Sequence, residues 1–222
     1  LYAGTHLGLY LSANGGATWT RAADPGGGIM SLATSPSPTI AEAVVYAGTF
    51  GRGVYVSRNG GVTWSRSNDL VDAQVYTLEA AALDAATVYA GTADGLYVSR
   101  DSGESWSAVG TALQGLSVRA VYLSSVDPNH LVVGTYGDGV LRSFDGGSSW
   151  ATASIGLTPP QVRSLAADEA NPDVMFAATS TGGFFRTADD SVAPHFSPFH
   201  PGVDPSWPNT WRRDNGYYDS LW

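Results

Sequence analysis

Short apolar runs alternate with glycine- and aspartate-rich turns along most of the chain. Residues 118–124 alternate apolar and polar side chains, residues 131–135 are almost entirely apolar, and residues 140–144 return toward Trp150. Turns rich in Gly, Asp and Asn separate these runs. Apolar runs of this length, alternating or continuous and bounded by such turns, are typical of strands. The pattern predicts a unit of four short strands.

This unit repeats along the chain. The tetrapeptide Tyr2-Ala3-Gly4-Thr5 recurs in exact or altered form, with its third position at residues 4, 48, 91, 134 and 178. An eight-residue motif keeps the same spacing and reads SANGGATW, SRNGGVTW, SRDSGESW and SFDGGSSW from residues 12, 57, 99 and 143. A fifth copy begins at Thr187 and has Pro194 in place of tryptophan. Four strands about every 40–45 residues is the period of a β-propeller blade. We therefore predict an all-β fold, a β-propeller with about five repeats that is either five-bladed or part of a larger propeller.

The eight-residue motif falls in the turn between the third and fourth strands. Its Asp or Asn can accept backbone N–H bonds, its Ser hydroxyl can tie the strand end to the turn, and its glycine permits positive φ. The tryptophan is expected to fill the gap toward the next blade. The residues concerned are Ser12, Asn14, Gly16, Trp19, Ser57, Asn59, Gly61, Trp64, Ser99, Asp101, Gly103, Trp106, Ser143, Asp145, Gly147 and Trp150.

These four motifs resemble the Asp-box, or BNR, repeat at its Ser, Asp/Asn, Gly and Trp positions, and the resemblance covers about residues 1–190. The repeat occurs in bacterial sialidases, xyloglucanase-type glycoside hydrolases, sortilin-like receptor domains and photosystem II assembly factors. In those families the motif is a peripheral fold element away from the binding face. The resemblance therefore implies a structural role for the motif residues.

Two groups of side chains are candidates for ligand binding. Met30, Tyr76, Arg119 and Arg163 occupy equivalent places in the innermost strands, near the channel mouth. The two arginines could hold a carboxylate or phosphate through bidentate hydrogen bonds, or could simply close the channel wall. Residues that differ between otherwise similar loops are candidates as well, although drifting loops look the same: His6, Phe50, Arg52, Asp94, Tyr136, Asp138, Ser180 and Thr181.

No catalytic residue can be assigned from the sequence. A glycosidase needs two carboxylates flanking a bond, and no spacing singles out a pair among Asp69, Asp72, Asp94 and Asp138. The chain also lacks the Arg-Ile-Pro motif that the sialidase resemblance implies. Its four histidines have no metal-ligand spacing, and the absence of cysteine excludes disulfides and thiolate sites. We expect neither a metal nor a cofactor.

Composition narrows the range of partners. The 222 residues carry a net charge of −9, with only 14% charged residues. Such a chain has no diffuse basic field to hold nucleic acid. There is no run of 18 apolar residues, so no membrane span is expected.

The C-terminal segment, residues 191–222, departs from the repeats at 1–190. It alternates prolines with aromatic residues and is too aromatic for a disordered tail, so we expect it to pack on the propeller or on a partner. It could supply a fourth strand to the last blade and an inner strand to the first, closing five blades. The competing prediction is an open arc, or part of a larger propeller. Because Leu1 falls inside an expected second strand, we also expect sequence upstream of it.

Three functional hypotheses remain. The leading one is a non-enzymatic binding or scaffold module, secreted or periplasmic, that docks a protein or glycan through its face loops and aromatic tail. The second is a glycoside hydrolase or a carbohydrate-recognising propeller fragment. The third is an assembly subunit of a larger complex that uses residues 191–222 as its contact.

Overall fold

The chain folds into a series of antiparallel β-sheets. The computed structural model describes residues 1–22, 25, 27–39, 42–71, 73–158, 160–168, 174–187 and 196–199. All regular secondary structure in these ranges is strand, and it forms five sheets. Across the same ranges, no helix has the length and apolar character needed to cross a membrane.

Each sheet is a meander in which strands follow one another in chain order. The first sheet contains β1 (Tyr2–Thr5), β2 (Gly8–Leu11) and β3 (Thr20–Arg21). The second contains β4 (Ile29–Thr34), β5 (Val45–Thr49), β6 (Val54–Ser57) and β7 (Ser65–Arg66). The third contains β8 (Val75–Ala80), β9 (Val88–Thr92), β10 (Gly95–Ser99) and β11 (Ser107–Ala108). The fourth contains β12 (Val118–Leu123), β13 (Leu131–Thr135), β14 (Val140–Ser143) and β15 (Ala151–Thr152). The fifth contains β16 (Val162–Ala167), β17 (Met175–Thr179), β18 (Gly183–Thr187) and β19 (Phe196–Phe199).

The all-β propeller architecture expected from the repeats is confirmed. The first strands of four sheets, which we call the inner strands, contact one another in the order β4, β8, β12, β16. Strand β19 pairs antiparallel with β18, so part of the C-terminal segment is the fourth strand of the fifth sheet. Residues 188–195 and 200–222, which make up the rest of that segment and its approach, lie outside the described ranges.

Consecutive sheets pack face to face in the same way, and we call each such contact between two sheets a joint. In the central sheets every residue of β5, β9 and β13 is buried, because a neighbouring sheet covers each face. A Cβ built on Gly134 would lie 2.5 Å from Cγ1 of Val162, which begins the next inner strand. The same close approach joins Gly4 to Ile29 at 2.6 Å and Gly48 to Val75 at 2.7 Å. The glycine of the repeated tetrapeptide is therefore a docking place for the next blade's first β-branched side chain.

The expected direction of the motif tryptophans is wrong. Trp106, in the third sheet, packs in the cluster that joins the second and third sheets, and its Nε1 donates to Ser67 Oγ at 2.8 Å. Trp64 packs against the first joint, and Trp150 against the joint of the third and fourth sheets. Each of these tryptophans fills the gap toward the preceding blade. The reason is that the motif turn lies against the preceding sheet. A Cβ built on Gly103 would lie 2.8 Å from Cγ2 of Val56, which belongs to the second sheet.

Candidate functional site

Four side chains occupy one equivalent bulge in successive sheets. The pairing of each inner strand with its second strand skips one residue, and the skipped residues are Met30, Tyr76, Arg119 and Arg163. A bulge leaves its residue unpaired and re-aims its side chain, and bulges are common beside binding and active sites. These four side chains therefore leave their inner strands at the same position, one in each of four neighbouring sheets.

Two arginines and two tyrosines interleave across the third, fourth and fifth sheets. Arg119 Cζ lies 3.5 Å from the ring centroid of Tyr76 and 5.2 Å from that of Tyr136. Arg163 Cζ lies 5.0 Å from the same Tyr136 ring. These distances are within the range of cation–π attraction. We call Tyr76, Arg119, Tyr136 and Arg163 the arginine–tyrosine cluster.

Neutral hydrogen bonds fix the orientation of the cluster. Arg119 Nε donates to Ser117 Oγ at 3.0 Å, and Arg163 Nε donates to Ser180 Oγ at 2.7 Å. The Tyr76 hydroxyl donates to Gln74 Oε1 at 2.7 Å. Neither arginine forms an ion pair within the described residues. Because each guanidinium is held through Nε by an uncharged partner, its two Nη groups keep a fixed direction and an uncompensated charge.

The loop that carries Tyr136 is tied to two sheets. The Tyr136 backbone N–H donates to Ser117 O at 2.9 Å, and Tyr136 forms an isolated bridge with Gln161. Phe50 occupies the equivalent loop of the second sheet and bridges Gln74 in the same way. Phe50 and Met30 are both exposed. An apolar area therefore adjoins the cluster on the side of the second sheet.

Sequence reasoning missed the residues that support the cluster. Gln74, Ser117 and Gln161 each lie two positions before a bulge residue. A side chain two positions earlier on a strand shares its face. Polar residues at that spacing before Tyr76, Arg119 and Arg163 were the signal available in the sequence.

The other predicted loop residues take part in turns. The Arg52 backbone N–H donates to Thr49 Oγ1, that of Asp94 to Thr92 Oγ1, and that of Asp138 to Thr135 Oγ1, at 3.0–3.1 Å. His6 is exposed, and its Cα lies 3.6 Å from the position a Cβ on Gly28 would occupy. Ser180 joins the cluster through Arg163, as described above, and Thr181 lies in the same turn.

One candidate carboxylate, that of Asp69, is engaged between two sheets. Asp69 Oδ2 accepts from the Trp106 backbone N–H at 2.9 Å, which places it in the joint of the second and third sheets. Asp72 lies outside the described residues. Among the residues that the structure describes, no group of three or more His, Asp and Glu side chains is arranged to hold a metal ion.

The four motif turns share one hydrogen-bond pattern. In each, the Ser Oγ accepts from the motif glycine's backbone N–H and donates to Oδ1 of the Asp or Asn, as in Ser57 with Gly61 at 2.8 Å and Asn59 at 3.0 Å. The same Oδ1 accepts from the backbone N–H four residues on. The motif glycines have φ between 84° and 96°. A side chain at these positions would be strained. The bonds within each turn are all made by the motif's own residues.

Two of the motif carboxylates have lowered pKa values. A hydrogen bond from the Ser149 hydroxyl is the largest cause at Asp145 and lowers its pKa to about 2. The Ser105 hydroxyl does the same at Asp101 and holds its pKa well below the usual range. Asn14 and Asn59 fill this position in the first two sheets, where their Nδ2 donates to Thr18 Oγ1 and Thr63 Oγ1 at 2.8 Å. Of the four complete motif turns, those of the third and fourth sheets therefore contain an ionisable carboxylate, and those of the first two contain an amide.

A family comparison agrees with this turn geometry. Residues 55–66 match the family described as BNR/Asp-box repeat. This chain is a β-propeller protein with BNR/Asp-box repeats. No curated protein matches it.

Solved structures resemble the propeller in its fold. The GH74 enzyme of Niastella koreensis matches with a TM-score of 0.71 and 20% identity, over 88% of this chain and 35% of that chain. The extracellular domain of the hybrid two-component system BT4673 from B. thetaiotaomicron matches with a TM-score of 0.65 and 16% identity, over 82% and 25%. YCF48 bound to D1 peptide matches with a TM-score of 0.59 and 17% identity, over 87% and 61%. This BNR/Asp-box chain thus spans less than two thirds of the length of each of these proteins.

Proposed function

We propose that this propeller is a binding module that holds a carboxylate of a protein partner between Arg119 and Arg163. The observation that carries the proposal is the pair of guanidinium groups held through Nε by Ser117 and Ser180, with no ion pair within the described residues. A carboxylate accepts two parallel N–H bonds from a guanidinium, and such charge-assisted bonds are stronger than neutral ones. Arginines aligned in advance lose little entropy on binding.

The surroundings of the arginines favour a peptide over a free ion. Both guanidinium groups lie against the Tyr136 ring, at 5.2 Å and 5.0 Å from its centroid. The exposed side chains of Phe50 and Met30 continue the surface toward the second sheet. A peptide segment with a carboxylate and a neighbouring apolar residue would use both parts. The chain's net charge of −9 makes this cationic cluster a local exception, which favours a specific site over general attraction of anions.

The peptide bound to one protein of similar fold supports a protein ligand. YCF48, a protein of the same fold, is bound to a D1 peptide in its solved structure. Glycoside hydrolysis needs two carboxylates that flank a bond. The Asp69 carboxylate is instead engaged by the Trp106 backbone N–H between the second and third sheets, which favours binding over hydrolysis. We place the module outside the cytoplasm, a location that the extracellular domain of BT4673 supports by analogy of fold alone.

The proposal can be tested with an array of short peptides presented with either a free C-terminal carboxylate or a C-terminal amide. We expect carboxylate peptides with an apolar residue near the end to bind, and binding to weaken at higher salt. The double variant Arg119→Gln/Arg163→Gln should reduce affinity at least tenfold.

Arg142→Gln is the matched control. Arg142 also lies against an aromatic ring, with its Cζ 5.1 Å from the Phe144 centroid, and belongs to β14 of the fourth sheet. Equal binding by the wild type and the double variant would refute the proposal. Equal loss in the double variant and in Arg142→Gln would also refute it, since general charge and not the cluster would then decide binding.

A further inference from the structure

The loop between the second and third strands begins with an equivalent residue in four sheets. In the second to fifth sheets, the backbone N–H of this residue donates to a carbonyl oxygen two positions before the bulge residue of the same sheet, at 2.9–3.1 Å. The four donor and acceptor pairs are Phe50 with Gly28, Ala93 with Gln74, Tyr136 with Ser117 and Ser180 with Gln161. We call the four donor residues the loop row. They are equivalent in structure as well as in sequence.

Neighbouring members of the loop row lie close together. Phe50 forms an isolated bridge with Gln74, whose carbonyl oxygen also accepts from the Ala93 backbone N–H. Phe50 and Ala93 thus both adjoin Gln74. Because partners across an antiparallel pair have Cα atoms about 4.5–5.5 Å apart, the two loop residues are about 10 Å apart. Packed sheets are also about 10 Å apart, so Tyr136 follows Ala93 at a similar distance.

The member of the loop row in the third sheet is small. Phe50 is 58% exposed and Tyr136 is 41% exposed, and the residue between them in the row is Ala93, which is exposed as well. Ala93 therefore leaves open the space that an aromatic ring occupies in the loops of the second and fourth sheets. We call this space the gap.

The position of Tyr136 shows what the gap adjoins. The Tyr136 ring centroid lies 5.2 Å from Cζ of Arg119, the bulge residue of its own sheet, and 5.0 Å from Cζ of Arg163, the bulge residue of the next. By equivalence, a ring at Ala93 would adjoin Tyr76 and Arg119, the bulge residues of the third and fourth sheets. The Arg119 Cζ lies 3.5 Å from the Tyr76 centroid. The gap therefore borders a tyrosine ring with a guanidinium on it.

We propose that the gap receives the side chain of a partner's C-terminal residue, a large apolar one, whose α-carboxylate is held by Arg119 and Arg163. The inference rests on the proposed function and adds the identity of the terminal residue. In a C-terminal residue, the side chain and the carboxylate leave the same carbon atom, so both fit a place where the gap and a guanidinium are adjacent. The side chain of an internal Asp or Glu ends in its carboxylate and brings no apolar group of its own.

The surroundings of the gap match this occupant in charge and in polarity. The cationic cluster is a local exception in a chain of net charge −9, and it complements a carboxylate. An apolar side chain in the gap would lie between the exposed rings of Phe50 and Tyr136 and lose contact with water. An aromatic side chain could also pack against these rings in the offset or edge-to-face arrangements that aromatic pairs prefer.

Peptides that differ only in their last residue test the inference. One series ends in Phe, Leu, Ala or Gly with a free carboxylate, and a further peptide ends in Phe amide. We expect the Phe and Leu peptides to bind the wild type at least about tenfold more tightly than the Gly peptide, because full burial of such a side chain stabilises a complex by that factor or more. The Phe amide should bind weakly, because it lacks the charge that the arginines hold.

Ala93→Tyr fills the gap without altering either arginine. Phe50 and Tyr136 already place an aromatic residue at this loop position, and Ala93 does not have positive φ, so the new side chain causes no backbone strain. The variant should bind the Phe and Gly peptides equally, with the affinity of the wild type for the Gly peptide. His6→Tyr is the matched control, because exposed His6 begins the equivalent loop of the first sheet. It should retain the preference for Phe.

The outcomes separate this inference from the proposed function. Equal binding of the Phe and Gly peptides to the wild type, with the amide still weak, would overturn the inference and leave the carboxylate proposal in place. Equal binding of the Phe carboxylate and the Phe amide would overturn both. A preference for Phe that persists in Ala93→Tyr, or that His6→Tyr also removes, would contradict burial of the side chain in the gap. A peptide with an internal Asp and an amidated end that matched the Phe peptide would exclude C-terminal recognition.

Discussion

Gly134→Ala tests whether the tetrapeptide glycine is a docking place between blades. The added methyl group would lie 2.5 Å from Val162 Cγ1 and 3.0 Å from its Cβ. Favourable carbon–carbon contacts lie at about 3.5–4.0 Å, so the overlap approaches 1 Å. Val162 is fully buried among Val132, Met175 and other apolar residues, which leaves it little room to retreat.

The expected cost follows from two opposing effects. Overpacking a core usually destabilises a protein by about 1–3 kcal/mol. Alanine also restricts the unfolded chain and returns about 0.4–1 kcal/mol. The free energy of unfolding should therefore fall by roughly 1–2 kcal/mol, and the melting temperature by roughly 2–8 °C for a chain of this size. Urea unfolding followed by tryptophan fluorescence, together with thermal melting, measures both quantities.

Gly28→Ala is the matched control, because its new methyl group would lie 3.6 Å from the nearest atom. Gly28 does not have positive φ, so backbone strain does not confuse the comparison. The cost of Gly134→Ala should also shrink on a Val162→Ala background, where the overlapping Cγ is absent. Equal effects at Gly28 and Gly134, or an undiminished cost beside Val162→Ala, would refute the joint as described.

Two further predictions concern the motif turns. Trp106→Ala should lower the free energy of unfolding by about 3–5 kcal/mol in urea, whereas Trp19→Ala should cost much less because Trp19 is half-exposed; similar costs would contradict the directional packing of the tryptophans. Asp101 and Asp145 have lowered pKa values when folded, so the stability they add is present above the ordinary aspartate pKa of about 3.9 and is lost as the pH falls through their folded values. Asp101→Asn/Asp145→Asn should therefore flatten the fall of the melting temperature between about pH 4 and pH 2, and an unchanged slope would contradict this assignment.

The repeats made the fold predictable, since each strand, turn and glycine could be compared with four other copies. The run 118–124 became β12, which ends at Leu123, and the run 131–135 became β13 without change. The direction of the tryptophans could not be predicted in this way. Equivalent residues have the same sequence context whether they pack on the following or the preceding sheet. Contacts in the structure decide the direction, such as that of Gly103 with Val56 in the preceding sheet.

The candidate site was predictable in its members but not in its geometry. Aligning the inner strands placed Tyr76, Arg119 and Arg163 at equivalent positions. Tyr136 was only one of several variable loop residues. Its place beside the two arginines depends on a backbone bond to Ser117 and a bridge to Gln161, which are distant in the sequence and leave no local sign at Tyr136.

The packing between neighbouring sheets also determines which parts of the molecule should unfold first. Each sheet is held mainly by the sheets next to it, so stability resembles a sum of nearest-neighbour terms, as in linear repeat proteins. The third sheet has a complete neighbour on both faces, whereas the first and fifth have one each among the described residues. Amide exchange in β9 should then report the global free energy of unfolding, with protection falling outward to β1 and β18. A partner or strand that covered the two ends would raise the protection of β1 and β18 together, turning a graded array into a single cooperative unit.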